Sequence, residues 1–487
     1  MSRETDARMV VDQLLKDAGW DIFDKSQVST EEPAADGRAD YLLKNSLTRP
    51  LCVIETKRFG KDPYGAKEQT LPYAQGLGAP FIILSNGNEH YFWDYGDGDA
   101  RPIMGLPSQA DLETRANLKY HRKGTLQETL AILPYPETFW FRGEQAEARR
   151  YQLECLKEAD KALVTGRRRM LFEMATGTGK TLTIAMLMKR WFQAAAISRV
   201  LFLADRIELA KQAKETFDEY LKDWPTELLY GGKRSLEGQI VVGTLDTIAA
   251  QLGEGGFGHA YFDLVVTDEC HRSIYGLWRQ VLEYFDAHLI GLTATPSKQT
   301  IGFFNQNLVM EYNHKRAVAD GVNVGYEVFR IRTEVTEQGG KVEKGFYVDR
   351  RSKETRAVRW ERLDEDLAYK ARDLDRSVVV KSQIRTVLQA FKEVLFTDLF
   401  PGRTLVPKTL IFCKDDSDAE DTVHLVPSAS ARATRLIRVR WSASAASPST
   451  SCCSAWRSAS ATKTASPHWP AASPGSTGKS RATMPRS

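Results

Sequence analysis

Apolar and polar positions alternate along the chain in three successive regimes. Residues 1 to about 140 open with an amphipathic stretch around MVVDQLLKDAGW, which predicts a helix, and continue through short runs (YLLKN, LCVIETK, FIILSNG, YFWDYG) that read as strands. From about 145 to 330 near-continuous apolar runs (RRMLFEM, SRVLFLAD, QIVVGT, FDLVVTDE, AHLIGLTATP) alternate with helical stretches such as TLTIAMLMKRWF and IELAKQAKETFDEYL. Strands that are apolar on both faces and separated by helices predict a parallel sheet covered on both sides. A helical connector, SVVVKSQIRTVLQAFKEVLF, then leads into KTLIFCKDDSDAEDTVH, which reads as the first strand and helix of another α/β unit.

That unit is not continued, because the composition changes abruptly. Residues 425–487 contain no Asp, Glu, Asn, Gln, Phe or Tyr and are dense in Ser, Ala, Arg, Pro and Thr. One reading is a disordered basic tail. The preferred one is a GC-rich gene read out of frame: Ser430–Thr434 can be encoded so that a one-nucleotide shift spells Phe-Gly-Glu-Gly-Asn, a sensible continuation of a folded domain.

The tail also distorts the charge. The whole chain is +4, but the tail holds nine Lys or Arg, so the remainder carries 58 basic and 63 acidic residues, net −5. A general basic balance therefore gives no argument for nucleic acid; contacts must rest on local patches. At 487 residues, 42% apolar and 27% charged, the chain has room for three ordinary globular domains. It lacks a run of roughly 18 apolar residues and a signal-peptide layout at its start. The expectation is a cytoplasmic protein without a membrane segment. The six cysteines form neither a CxxC pair nor a Cys/His cluster, and Cys52, Cys155, Cys270 and Cys413 are expected to be plain buried thiols.

Chemistry concentrates in two places. In Ala175-Thr176-Gly177-Thr178-Gly179-Lys180-Thr181, glycines between a strand and a helix let backbone N–H groups close around phosphates at a helix N-terminus. Lys180 is placed for β/γ-phosphates and the Thr181 hydroxyl for Mg²⁺, although Met174 stands where the strict pattern has its first glycine. About ninety residues on, FDLVVTDECH ends an apolar strand with Asp268, placed for the metal, and Glu269, placed to orient or deprotonate a water. His271 is either a turn residue or a γ-phosphate sensor.

The second place is N-terminal. Asp40 begins the YLL strand, and the period of two puts Glu55 and Lys57 of LCVIETK on one face of the next. Two acids can hold Mg²⁺ while a lysine beside them orients a water that attacks phosphorus; the bland alternative is a salt-bridged surface strand. Glu4 or Asp6 is a further candidate acid from the first helix.

Taken together, ATGTGKT, FLADR (202–206), VGTLDTI (242–248), DECH and GLTATP (291–296) resemble the ordered motifs of superfamily 2 helicases and translocases. That resemblance implies a RecA-like lobe binding ATP, with FLADR and VGTLDTI on the DNA backbone and Thr293-Ala294-Thr295 coupling hydrolysis to motion. Arg150-Tyr151-Gln152 resembles the adenine-reading element, with Gln152 as reader. Asp40…Glu55-x-Lys57 resembles PD-(D/E)xK nucleases, and Gln69…Tyr73 the Gln-x-x-x-Tyr element of one group of them.

A nuclease ahead of such a motor resembles the restriction (R) subunit of type I restriction-modification enzymes. DAGWDIFDK, RRRMLFEMATGTGKT, VVTDECHRSIYG, AVADGVNV and KTLIFCKDD extend the likeness to about residue 424. Type III restriction subunits carry their nuclease after the motor. The resemblance implies ATP and Mg²⁺ as cofactors. It implies duplex DNA and the methyltransferase (M) and specificity (S) subunits as partners, with cutting at a distance from the recognition site.

The expected organisation is a nuclease domain over 1–140, motor lobe 1 over 141–330, a connector and the start of lobe 2 over 331–424, and the tail over 425–487. Lacking a finished lobe 2, the chain is expected to be motor-defective. The alternatives are a DNA-binding or inert fragment and a repair or phage helicase-nuclease.

Overall fold

A computed structural model describes residues 4–34, 37–122, 124–230, 238–253 and 256–329, the short strands between 340 and 369, and residues 381–413, 419–420 and 422–425. The chain divides into two compact units, Met1–Tyr326 and Glu327–Ser487.

The first unit contains two sheets. The N-terminal sheet has six strands in sequential order: β1 (Val28–Ala34), β2 (Gly37–Lys44), β3 (Pro50–Thr56), β4 (Phe81–Ser85), β5 (His90–Asp94) and β6 (Arg101–Ile103). Every neighbouring pair is antiparallel except β3 and β4. A parallel pair needs a crossover, here carried by helix α2 (Lys67–Leu77). Alternation along β3 serves two cores: Cys52 and Ile54 pack with Val11 and Leu15 of α1 (Glu4–Asp17) and Leu112 of α3 (Gln109–His121). Val53 packs on the other face with Ala74 of α2.

After the short helix α4 (Leu126–Ile132) and the hairpin β7 (Thr138–Phe141) and β8 (Glu144–Glu147) comes the second sheet. Its strands are β9 (Arg169–Met174), β10 (Val200–Ala204), β11 (Thr226–Leu228), β12 (Ile240–Thr244), β13 (Leu264–Thr267), β14 (His288–Thr293) and β15 (Leu308–Tyr312). They lie in the order β11-β12-β10-β13-β14-β9-β15, all parallel. Phe172, Phe202, Val242 and Val266 face the core beneath α5 (Arg150–Val164), α6 (Lys180–Gln193) and α7 (Ile207–Tyr220). Leu171, Leu201, Val241 and Val265 fill the opposite face. This is the expected mixed α/β fold with a doubly covered, RecA-like parallel sheet. Cys52, Cys155 and Cys270 are buried free thiols, while Cys413 is only half-buried.

The second unit holds two antiparallel strand pairs, Gly340–Val342 with Leu367–Tyr369 and Tyr347–Arg351 with Val358–Arg362, and the helix Lys381–Val394. The run Lys408–Cys413 was expected to be a strand, and it forms none. A strand exists by virtue of its ladder, and within this run Thr409 alone takes part in a bridge among the described residues. The tail from residue 426 onward lies outside the described residues. No described helix is long and apolar enough to cross a membrane.

Candidate functional site

Because the second sheet is parallel, the carboxyl ends of its strands share one edge, where open α/β sheets bind ligands. β9, β10, β12, β13 and β14 deliver there the loops beginning at Ala175, Asp205, Leu245, Asp268 and Ala294. The first is the phosphate-binding turn. Gly177 and Gly179 both have φ of +80°, a region in which a side chain is strained, and α6 starts at Lys180.

The turn is fixed from three sides. Ala175 N–H donates to the Tyr312 carbonyl (2.8 Å), the Tyr151 hydroxyl to the Thr178 carbonyl (2.6 Å), and the Asn323 amide to the Thr176 carbonyl (3.1 Å). Tyr151 and Tyr312 stack with centroids 3.9 Å apart.

Lys180 Nζ lies 3.7 Å from Glu269 Oε1, so the two motifs meet across the edge. Glu269 sits in the left-handed region at φ 47°, turning the chain sharply after β13. His271 Nδ1 is 3.0 Å from Thr293 Oγ1 and 3.5 Å from Glu269 Oε2, while Thr293 Oγ1 accepts the Thr295 N–H. DECH and the Thr-Ala-Thr loop are thereby joined through one imidazole. Thr181 and Asp268 line a common cavity of about 200 Å³ together with Arg142 of the β7–β8 turn. Burial pushes the Asp268 carboxyl up, against the pull of Lys180. A hydroxyl beside a carboxylate suits a hard divalent cation, so the pair fits the expected Mg²⁺.

Gln152 is buried with its amide committed to protein. Its carbonyl accepts the Arg149 N–H (2.9 Å) and its NH₂ donates to Thr183 (3.1 Å). It braces α5 against α6, directly beneath Gly179. Of the other motifs, Asp205 of FLADR binds Arg272 (3.2 Å) and Asp246 of VGTLDTI accepts from Trp278 (3.1 Å).

The N-terminal candidates also converge. Asp40 and Glu55 are 6% and 5% exposed, so they do not lie on a surface strand, although each is salt-bridged, to Arg8 and to Lys57. The β2–β3 register pairs Tyr41 with Ile54, and the Thr56 N–H donates to Asp40 Oδ2 at 2.7 Å. Lys57 Nζ donates to Glu55 (2.7 Å) and to Gln69 (3.2 Å), whose NH₂ reaches the Tyr73 hydroxyl (3.5 Å). Glu55, Lys57, Gln69 and Tyr73 thus form one chain across β3 and α2. Two adjacent buried carboxylates fit an oxygen-seeking cation.

From the first helix the described contact to this cluster is made by a base. Asp6 is exposed, and Arg8 instead hydrogen-bonds Asp40 and Glu31; Glu4's side chain lies outside the described residues. Arg8, beside the buried stripe Ala7, Val11, Leu15, carried no sequence signal of this role. Arg142 had no sequence signal, whereas Tyr151 and Asn323 lie within quoted motifs yet had no role assigned.

The chain is similar in sequence to known proteins. The family described as "type III restriction enzyme, res subunit" matches residues 145–298, the stretch holding the P-loop and DECH. The chain is 28% identical over 438 residues to the type I restriction enzyme EcoAI endonuclease subunit of Escherichia coli (83% of this chain, 51% of that one). It is 25% identical over 513 residues to the EcoKI endonuclease subunit of E. coli K12 (86% and 43%). The chain therefore spans about half the length of these curated relatives. A solved fragment of an HsdR subunit of a type I restriction enzyme from Vibrio vulnificus YJ016 covers 88% of this chain, and 74% of that one is matched, at 24% identity and a TM-score of 0.38. The chain is a homologue of the endonuclease subunits of type I restriction enzymes, with a superfamily 2 helicase-like ATP-binding domain.

Proposed function

We propose that this chain carries the nuclease and the ATP-binding motor lobe of a type I restriction endonuclease subunit, a protein that uses ATP to move along unmodified duplex DNA and cuts away from the recognition site, and that the chain without a finished second lobe is motor-defective. The observation that carries the motor reading is the meeting of Lys180, Glu269, His271 and Thr293 at one sheet edge. Lys180 holds the β/γ-phosphates, Glu269 orients the attacking water, and His271 links its state to the Thr293–Thr295 loop. Thr181 and Asp268 hold the Mg²⁺ ion, which supplies charge neutralisation on the phosphates.

The nuclease reading, over residues 1–140, rests on the buried Asp40/Glu55 pair with Lys57 tied to Glu55 and Gln69. Asp40 and Glu55 would hold a divalent cation, which would supply Lewis-acid polarisation of a phosphate; Lys57 positions the water; Gln69 and Tyr73 fix the lysine. Methyltransferase and specificity subunits supply recognition, since contacts to phosphates carry little sequence information.

A second reading, a DNA-binding fragment without motor activity, is favoured by one observation. Among the described residues the run Lys408–Cys413, the expected first strand of lobe 2, is not a named strand, and within it Thr409 alone takes part in a bridge.

The test is a pair of variants in the full chain, assayed with and without methyltransferase and specificity subunits. Lys180→Ala is expected to abolish ATP hydrolysis. Lys57→Ala is expected to abolish cleavage while leaving ATP affinity unchanged. DNA binding without any ATP turnover in the unsubstituted chain selects the second reading, and cleavage that survives Lys57→Ala refutes the nuclease assignment.

A further inference from the structure

The strand that leads to the P-loop begins with a run that the motor does not use, Arg167-Arg168-Arg169. Six residues at roughly 3.3 Å each put this run about 20 Å from the phosphate turn, at the opposite edge of the sheet. The three arginines line a cavity of about 670 Å³ together with Arg101 of β6, which comes from the N-terminal sheet. Only two carboxylates, Glu283 and Asp286, face the same cavity.

Asp286 is shared by Arg101, Arg168 and, behind them, Arg115, at 2.8–2.9 Å. Glu283 is 3.2 Å from Arg169. The wall thus carries four guanidiniums against two carboxylates. Packing like charges out of water is unfavourable. The effect shows at Arg168, held down to about 10 by burial and, against the pull of Asp286, by Arg101 and Arg115. Guanidiniums bind phosphate oxygens in bidentate fashion, and Arg167, Arg168 and Arg169 each keep N–H donors beyond their protein contacts.

We propose that this cavity, at the seam between the two sheets, is a second anion site that takes a phosphate-bearing ligand, either a free nucleotide or a stretch of DNA backbone. A doubly charged phosphate offsets the excess of guanidiniums over carboxylates on this wall.

The experiment titrates the full chain with inorganic pyrophosphate by calorimetry in a Lys180→Ala background, so that P-loop binding is removed and failure of the ATP-site reading is seen separately. One equivalent of pyrophosphate is expected to bind still. Adding Arg167→Gln and Arg168→Gln is expected to weaken it at least about tenfold, the scale of one charge-assisted hydrogen bond. Competition assigns the source: displacement by ADP marks a nucleotide site, and displacement by a short single-stranded oligonucleotide alone marks a DNA site. Loss of all binding in Lys180→Ala, or unchanged binding in the triple variant, overturns the proposal. If the triple variant does not fold, Arg167→Gln alone, whose side chain is exposed, decides by the same criterion in the Lys180→Ala background.

Discussion

Glu269 joins strain and chemistry in one residue. Its φ of 47° is a region costing roughly 1–2 kcal/mol for a side chain, yet the turn aims its carboxylate at Lys180 and His271. Replacing it by Gly relieves the strain but adds glycine's larger folding entropy of about 0.5–1 kcal/mol. Glu269→Gly is therefore expected to be as stable as the parent or more stable by up to about 1 kcal/mol, and Glu269→Gln no more stable than the parent. Both are expected to lose ATP hydrolysis; urea unfolding read beside ATPase rates checks the split. Gly37 is a steric counterpart at the N-terminal cluster. A Cβ there would stand 2.6 Å from the Tyr73 hydroxyl, so Gly37→Ala is expected to push Tyr73 off Gln69 and cut cleavage by about tenfold or more, while ATP affinity is unchanged. At this scale the sequence reveals residues that share a strand or a turn: period two relates Glu55 to Lys57, and the glycine pattern marks Lys180. It does not reveal Arg8, whose meeting with Asp40 is a product of α1 packing across β2.

Elements were legible where burial on both faces leaves a continuous apolar run, as in β9, β10, β12, β13 and β14. VSTEEPA carries no such run, yet forms β1 because β2 offers it a free ladder. KTLIFC carries one and forms no strand among the described residues. Partners, rather than propensity, decide both cases. Gln152, assigned by its motif to the nucleotide site, also caps α5 and reaches α6. Its bond to Thr183 is buried and that to Arg149 partly so, and the Thr183 hydroxyl keeps its donation to the Gly179 carbonyl, so unmaking the pair costs up to about 1–3 kcal/mol for each. Gln152→Ala is expected to lower stability by at least that of one bond and to weaken ATP binding by loosening the turn over Gly179. Gln152→Glu, which keeps the acceptor for Arg149, is expected to lose less stability. Thermal unfolding with and without ATP separates the two effects.

At the scale of the whole first unit the two sheets are joined by charge. α3 lies along the seam: Arg199 holds Asp111 (3.1 Å) and Thr114 (2.9 Å), and Arg122 donates to the Ala195 carbonyl (2.9 Å). At its centre Asp286, with a side chain 6% exposed, accepts from Arg101 and Arg115 on one side and Arg168 on the other. Burial alone would raise this carboxyl, but Arg101, Arg115 and Arg168 hold it well below its ordinary 3.8. A depressed carboxyl contributes stability that is fully present above the unfolded value and lost as pH falls through the folded one. Removing the anion that three half-buried arginines share, with Asp263 left to act on Arg115 and Arg168, costs up to roughly 3–5 kcal/mol. Asp286→Asn is therefore expected to lower the unfolding free energy of Met1–Tyr326 by about that amount. The deficit should be constant from neutral pH down to the ordinary carboxylate range and should shrink only below it. Urea titrations of parent and variant across that range measure it directly. A deficit already closing near neutral pH would mean that Asp286 is not held ionised by its arginines. The seam would then rest on α3's remaining contacts instead. If the deficit behaves as expected, this ion cluster is one of the contacts that hold the parallel sheet to the N-terminal sheet.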